Sequence, residues 1–260
     1  MPFRHAAGMI FPMIEGAMHM DTKLWSEACQ YKGLQGEMKM LSQDFMEQLR
    51  MPQLPFLREG VVGDYSIKVE IIPAGEKVTV VSQRNWLMMG YVPFKVIFDK
   101  PRLVFKLFRK GHGLLMSDSP QEMFLQYDAY MNAKGRVLVG GLGLGLFAAM
   151  AAKKESVTEV VVIEIDEDVM KLCQPKDRKI KVVQGDIWDF IRNTSEKFDY
   201  SYIDIHYHTG CMEYIRTVLP MRKILSERFP NMPADFWGEE EMKAQYNPNY
   251  DKEKAEHANV

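Results

Sequence analysis

A glycine cluster that directly follows an apolar segment constrains the fold of this chain more than any other feature. Residues 137–139 are apolar, glycines follow at positions 140, 141, 143 and 145, and residues 147–152 favour a helix. A continuous apolar run is typical of a buried parallel strand, and glycines at a strand-to-helix turn let a ligand approach the backbone closely. A dinucleotide fingerprint would place its third small residue at position 146, which is Leu146. The spacing therefore predicts a turn that binds an adenosyl ligand without a pyrophosphate.

Acidic residues stand at the ends of three later apolar segments. Glu164 ends segment 158–165, Asp186 follows segment 180–184, and Asp204 lies near the end of segment 198–205. In open α/β sheets, ligands bind at the carboxyl ends of the strands, so we expect these acids at one edge together with the glycine turn. Two alternatives stay open, namely that Asp186 only caps a helix and that Glu164 is a solvated strand end.

This order of motifs resembles the Rossmann-like (class I) S-adenosylmethionine (SAM)-dependent methyltransferases, and within them the spermidine-synthase-like branch. The resemblance covers about residues 117–204 and is carried by segments 137–145, 162–169 and 184–186. It implies an α/β fold, with a Rossmann-like doubly wound and mostly parallel sheet, and SAM as the cofactor. It also implies how the cofactor is bound. The turn with Gly141, Gly143 and Gly145 would bind its methionine part. Glu164 would bind the ribose hydroxyls, and Asp186 would bind the adenine amino group.

The segments on either side of this region predict additional structure. Apolar residues recur at three- and four-residue steps from Asp21 to Leu49, which predicts a helix, and alternating residues in segment 61–116 predict a small antiparallel β region. Only about fifty residues follow the fourth strand, so the C-terminal part is shortened. We predict an N-terminal arm and helix (1–60), a β-rich region (61–116), a SAM-binding domain (117–246) and a polar tail (247–260).

A capping box precedes the glycine segment. Ser119 stands as the N-cap, Pro120 at the first helical position and Glu122 at the third, which predicts a helix over residues 120–132. Because this helix would pack beside the end of the glycine strand, we expect Ser117 and Asp118 near the cofactor.

Asp204, His206 and His208 lie where the chemistry of the acceptor would take place. The pKa of histidine suits a general base near neutral pH, and we predict a catalytic role within this group. The spermidine synthases have an Asp-Ser or Asp-x-x-Asp setting here, from which this chain departs. Alternate residues of a strand face opposite sides, so three metal ligands would need a bend, and we predict no metal site. In the structural alternative, Asp204 caps a helix and the histidines form hydrogen bonds in a loop.

Composition restricts the partners. The net charge is -2 and the sequence pI is about 6.3, so nucleic acid is not favoured, although segment 102–112 is basic with interleaved phenylalanines.

The apolar stretch 137–152 is shorter than the roughly 18 residues of a membrane span. Cys29, Cys173 and Cys211 have no CxxC spacing, which suits a reducing compartment. We predict a cytoplasmic protein with a small-molecule acceptor and a homo-oligomer contact through the N-terminal helix.

The main functional interpretation is a SAM-dependent methyltransferase with an unidentified acceptor. One alternative is a polyamine aminopropyltransferase. Another is a non-catalytic SAM-binding or assembly module, which the shortened C-terminal part, the changed motif at Asp204 and the methionine-rich residues 1–20 would each suit.

Overall fold

The computed structural model of the protein describes residues 54–81, 93–98 and 100–246. The predicted N-terminal helix, the methionine-rich leader and the polar tail lie outside these residues. The homo-oligomer contact predicted for that helix therefore stays a prediction.

The predicted antiparallel β region forms a four-stranded sheet and a separate two-stranded one. The four-stranded sheet, called here the small sheet, has the order β1-β2-β5-β6. Strands β3 and β4 pair with each other. The six strands are β1 (Gly60–Val62), β2 (Tyr65–Ile72), β3 (Lys77–Val81), β4 (Pro93–Ile97), β5 (Arg102–Arg109) and β6 (Gly113–Ser117).

The predicted helix over residues 120–132 is divided into α1 (Pro120–Leu125) and α2 (Tyr127–Asn132). One half of the capping box is present, because Ser119 Oγ accepts from the Glu122 amide at 3.4 Å. The other half is absent. The Glu122 carboxylate accepts instead from Gln126 Nε2 at 2.9 Å and from Trp237 Nε1 at 3.0 Å. Glu122 is thus drawn away from the helix terminus toward the C-terminal part of the chain.

The large sheet has five parallel strands in the order β11-β10-β7-β8-β9. Its strands are β7 (Gly135–Gly140), β8 (Val157–Glu164), β9 (Ile180–Gln184), β10 (Tyr200–Ile203) and β11 (Ala234–Phe236). The helices after the first three strands are α3 (Leu146–Ala152), α4 (Glu167–Cys173) and α5 (Ile187–Asn193). The strand order reverses between β7 and β10, which is the topological switch point where ligands of such sheets bind. The predicted Rossmann-like fold is confirmed.

Two hydrophobic cores cover the two faces of the large sheet. Val160 and Val162 face the core that contains α3, whereas Val161 and Ile163 face the core that contains α5. Successive side chains of a strand point to opposite faces, so a strand buried on both faces is apolar throughout. This is the physical basis of the apolar runs in the sequence.

The chain between β10 and β11 forms a helix with an irregular start. It comprises α6 (Cys211–Glu213), a π-helical turn (Tyr214–Val218) and α7 (Leu219–Arg228). The π-helical turn comes just before Pro220, which has no amide hydrogen to continue the regular pattern. After β11 the described chain ends with α8 (Glu239–Gln245).

Candidate functional site

The glycine turn after β7 has a backbone that other residues would strain. Gly141 has φ +91°, and a Cβ added to it would lie 2.2 Å from the backbone oxygen of Asp204. Gly143 has φ +51°, and its added Cβ would lie 2.1 Å from Met116 Sδ. Gly145 precedes α3 as its N-cap. The three predicted glycines therefore lie together at the switch point, packed against β10 on one side and the small sheet on the other.

Glu164 ends β8 and is joined to this turn. Its Oε2 accepts from the Leu142 amide at 2.7 Å, and its Oε1 accepts from the Asp166 amide at 2.8 Å. Only 7% of the residue is exposed, and burial raises the pKa of its carboxyl group although the two amide bonds act against that shift. The structure thus brings Glu164 and the glycine turn together, as expected from the strand ends. Contact with a ribose stays a prediction.

Asp186 follows β9 and caps α5. Its Oδ1 accepts from the Trp188 amide at 2.6 Å, so the capping alternative describes one of its functions. A carboxylate has further acceptor sites, and Asp186 keeps part of its surface exposed at the same edge of the sheet as Glu164. Its contact with adenine stays a prediction.

Asp118 lies in the loop after β6 and is fully buried. Its Oδ1 accepts from the Phe105 amide at 2.6 Å, which fixes the loop to β5. Burial raises the pKa of this carboxyl group to about 6, while the bond from Phe105 and the charge of Arg102 act in the opposite direction. Ser117 ends β6, and its Oγ accepts from the Ser119 amide at 3.4 Å. The structure gives both residues local structural contacts, and their expected nearness to the cofactor stays a prediction.

Met116, the neighbour of Ser117 on β6, contacts the glycine turn directly. The Leu144 amide donates to Met116 Sδ at 3.0 Å. Nothing in the sequence indicated this contact, because a methionine in an alternating strand carries no sign of its partner. The small sheet therefore forms part of the wall around the glycine turn.

Asp204 follows β10 beside a second carboxylate, that of Glu122. Burial and the charge of Glu122 raise the pKa of Asp204 well above its usual value, although the residue keeps part of its surface exposed. Burial also raises the pKa of Glu122. The Tyr202 hydroxyl is buried without a hydrogen-bond partner among the described residues, and burial and both carboxylates raise its pKa. These three groups form what we call the acid pair site: two carboxylates and a protonated phenol.

Sequence reasoning had assigned Glu122 only to a capping box and had missed its part in the acid pair site. The contact with Trp237 spans 115 residues, and such long-range packing leaves no trace in local spacing. The one signal in the sequence was an acid directly before the apolar residues 123–125 of a short helix.

The two histidines of the predicted catalytic group differ in environment. His206 Nε2 lies 2.8 Å from the Trp237 carbonyl oxygen, which can only accept, so Nε2 carries the hydrogen. His206 Nδ1 is then an acceptor, and it is buried without a partner in the described part of the chain. Burial lowers the pKa of His206 and favours the neutral ring. His208 is exposed. The catalytic role expected for Asp204, His206 and His208 stays a prediction.

The loop that carries these residues also touches the small sheet. Arg109 Nη1 donates to the Tyr207 hydroxyl at 3.4 Å, and the rings of Tyr207 and His112 stack with their centres 6.0 Å apart. Within residues 54–81, 93–98 and 100–246, no group of three metal-ligating side chains comes together, and no helix has the length and apolarity that a membrane span requires.

Comparisons with known proteins found partial matches to this chain. No protein-family model matches. The curated polyamine aminopropyltransferase 2 of Caldanaerobacter subterraneus subsp. tengcongensis is 33% identical over 78 residues, which are 27% of this chain and 26% of that protein. The match thus spans about a quarter of the length of that relative.

Solved structures match this chain only in part and at low identity. Spermidine synthase from Thermotoga maritima matches over 39% of this chain and 44% of its own, with 17% identity and a TM-score of 0.30. The protein yhhF from Escherichia coli, provisionally named a methyltransferase, matches over 36% of this chain and 50% of its own, with 17% identity and a TM-score of 0.29. Because these TM-scores are low, the fold assignment rests on the observed strand order. That strand order confirms the predicted Rossmann-like fold, and the match to the curated relative agrees with the predicted resemblance to the spermidine-synthase-like branch over those 78 residues.

Proposed function

We propose that this protein is a SAM-dependent transferase that moves the methyl group of SAM to a nitrogen nucleophile of a small molecule. The observation that carries the proposal is the meeting of the glycine turn, Glu164 and Asp204 at the switch point between β7 and β10. Each comes from the carboxyl end of a different parallel strand, where ligands of such sheets bind. Sequence similarity to a curated transferase supports the same class.

The residues present fit such a cofactor. Gly141 and Gly143 have positive φ and allow the turn to pack closely against Asp204 and Met116, which gives the tight turn at the carboxyl edge of the sheet that the resemblance implies for such a cofactor. The Glu164 carboxylate would accept from two neighbouring ribose hydroxyls, and Asp186 would accept from the adenine amino group. When bound, SAM supplies an electrophilic methyl group on a positively charged sulfur, and methyl transfer depends mainly on alignment of the nucleophile with that group.

The acid pair site would bind the acceptor and take up its proton. As the nitrogen lone pair forms the new bond to the methyl carbon, the carbon–sulfur bond breaks and its electrons go to the sulfur. The nitrogen then loses a proton, for which Asp204 is the acceptor in this proposal. A raised pKa makes Asp204 a stronger base than an exposed carboxylate. Two carboxylates with a common neutral phenol also favour an amine over an anionic acceptor.

The direct test measures cofactor binding and turnover separately. Calorimetric titration with S-adenosylhomocysteine should give saturable binding, and mass spectrometry should detect S-adenosylhomocysteine formed from SAM in the presence of diamines or other small amines. Asp204→Asn should abolish turnover and leave binding intact, while Asp189→Asn, on the exposed side of α5, should change neither. A protein that fails to bind S-adenosylhomocysteine at millimolar concentration is not a SAM-dependent enzyme.

Aminopropyl transfer is the second candidate, and the charge around the switch point favours it. Asp118, Glu122, Glu164 and Asp204 all come from segments around the site. Besides burial, negative neighbours raise the pKa of the last two, since the charge of Asp166 acts on Glu164 and that of Glu122 acts on Asp204. Decarboxylated SAM lacks the negative carboxylate of SAM, so acidic surroundings favour it. The curated relative is itself named a polyamine aminopropyltransferase.

Products distinguish the two candidates. Incubation with decarboxylated SAM and putrescine should give spermidine and methylthioadenosine if aminopropyl transfer is the activity, whereas methyl transfer gives S-adenosylhomocysteine from SAM. Binding of S-adenosylhomocysteine without either product would favour the non-catalytic module instead.

A further inference from the structure

A hydrogen bond joins the small sheet to the loop that follows β8. Tyr65 lies at the start of β2, only 5% of the residue is exposed, and its hydroxyl group donates to the Asp166 carboxylate. Burial and this bond raise the pKa of Tyr65, so the phenol stays protonated and remains a donor. Tyr65 is therefore a buried donor that is fixed to a loop at the carboxyl edge of the large sheet.

Asp166 connects this tyrosine to Glu164. The Asp166 amide donates to Glu164 Oε1 at 2.8 Å, and Glu164 Oε2 accepts from the Leu142 amide at 2.7 Å. Asp166 Oδ1 also accepts from the Asp168 amide at 2.9 Å and so caps α4. The Glu164 carboxylate is thus held on one side by the glycine turn and on the other by a residue that Tyr65 fixes. Each carboxylate oxygen keeps a second acceptor direction for a ligand.

Close packing holds the small sheet against the same loop. Gly63 in the β1–β2 turn has φ +54°, and a Cβ added to it would overlap the Asp168 carboxylate. Arg109, which lies directly opposite Tyr65 in the register of β2 and β5, has its guanidinium 5.4 Å from the centre of the Tyr65 ring. A cation in this place stabilises the ring where it lies. The Tyr65 hydroxyl is therefore confined to one position, as a group that orients another must be.

We propose that Tyr65 is a positioning residue for the cofactor, which acts through Asp166 to hold the Glu164 carboxylate in the orientation that accepts from two ribose hydroxyls. The inference rests on the proposed function, from which it takes the ribose contact of Glu164. Without the bond from Tyr65, the Asp166 side chain and its amide lose their fixed direction. Because hydrogen bonds to a carboxylate depend on direction as well as distance, a less well oriented Glu164 binds the hydroxyls more weakly.

The test compares two variants that each remove one tyrosine hydroxyl. Y65F removes the bond to Asp166. Y200F is the matched control, because the Tyr200 hydroxyl also donates to an aspartate, Asp235, at 2.6 Å, but lies at the start of β10, at the opposite edge of the sheet from Glu164. In calorimetric titration with S-adenosylhomocysteine, Y65F should weaken binding about threefold to tenfold, which is the net effect of one hydrogen bond. Y200F should leave the affinity unchanged, and thermal unfolding verifies that both variants are folded.

Two further measurements separate positioning from a general structural effect. The first compares methylthioadenosine with its 2′,3′-dideoxy analogue, and Y65F should weaken binding only of the ligand that has the ribose hydroxyls. The second is a double-mutant cycle with E164Q, in which Y65F should cause a smaller loss of affinity than it causes in the natural protein. Both expectations follow because Tyr65 acts on the ligand through the Glu164 carboxylate alone.

Amide hydrogen exchange keeps this inference separate from the proposed function, because it needs no ligand. The Asp166 amide should exchange several times faster in Y65F than in the natural protein or in Y200F. A natural protein that does not bind S-adenosylhomocysteine would overturn the proposed function, and exchange at Asp166 would still decide whether Tyr65 orients this loop. Unchanged exchange in Y65F, equal weakening of S-adenosylhomocysteine binding by Y65F and Y200F, or equal weakening of the two nucleosides by Y65F would each overturn the positioning role.

Discussion

Asp118 allows a quantitative test of how burial governs this part of the protein. The substitution is Asp118→Asn, which keeps the oxygen that accepts from the Phe105 amide. The second oxygen, Oδ2, is buried without a hydrogen-bond partner in the described part of the chain, so an amide nitrogen there replaces no existing bond. Asparagine therefore imitates the protonated form of the acid, and the comparison isolates the free energy of burying its charge.

The expected magnitude follows from the raised pKa. A change from 3.8 in the unfolded chain to about 6 in the folded protein corresponds to about 3 kcal/mol. Because the folded-state pKa is raised, the stabilising contribution is complete below pH 3.8 and is lost as the pH rises through 6. Between pH 4 and pH 8 the free energy of unfolding of the natural protein should fall by about 2 kcal/mol relative to that of the variant.

The assay is urea unfolding of both proteins across this pH range, recorded by tryptophan fluorescence and circular dichroism. At each pH, the difference in unfolding free energy between the two proteins cancels the contributions of all other titrating groups. Asp189→Asn, which removes an exposed carboxylate of α5, should show almost no pH-dependent difference. If the Asp118→Asn difference were constant from pH 4 to pH 8, the carboxyl group would not be desolvated as described. Titration of the same variant with S-adenosylhomocysteine also tests whether Asp118 contacts the cofactor.

Four further substitutions test the site and its support. Glu164→Gln should weaken S-adenosylhomocysteine binding in calorimetry by about tenfold or more, because charge-assisted bonds contribute about 1.5–3 kcal/mol, and unchanged affinity would exclude the ribose contact. Gly141→Ala places a Cβ 2.2 Å from the Asp204 backbone oxygen and should reduce the unfolding free energy by more than about 2 kcal/mol. The rate of transfer should rise with pH as Asp204 deprotonates, and Asp204→Asn should remove that rise from single-turnover profiles. Tyr200→Phe removes a 2.6 Å bond to Asp235 and should cost about 1 kcal/mol in thermal or chemical unfolding.

The parallel sheet was predictable because its signals are local. Each strand buried on both faces must be apolar throughout, and each turn at its carboxyl end must be short and polar. The run that ends in Glu164 satisfies the first condition over residues 160–163, which are buried, and the structure also has strands before Asp186 and Asp204. The strand before Asp186, β9, lies at the edge of the sheet and is only partly buried. The glycine turn also predicted the edge of the sheet at which a ligand is expected to bind.

The acid pair site was less predictable because it depends on packing between distant segments. Glu122 has the spacing of a capping residue, and only the approach of Trp237 and the charge of Asp204 give it another function. The surroundings of the two histidines were not predictable either. Their position after the fourth strand predicted a catalytic role, which stays a prediction, and the structure adds that His206 packs against Trp237 while His208 is exposed. Side-chain direction in a loop follows from tertiary contacts, which spacing does not determine.

The small sheet borders the candidate site through contacts with the loops that follow three different strands of the large sheet. Tyr65 of β2 hydrogen-bonds Asp166, and Met116 of β6 accepts from Leu144. Arg109 of β5 reaches the loop after β10. The large sheet supplies the residues predicted to bind the cofactor, while these contacts determine what can stand beside it. We therefore expect acceptor specificity to depend on residues 61–116, so that substitutions on β5 alter the choice of acceptor with little effect on cofactor affinity.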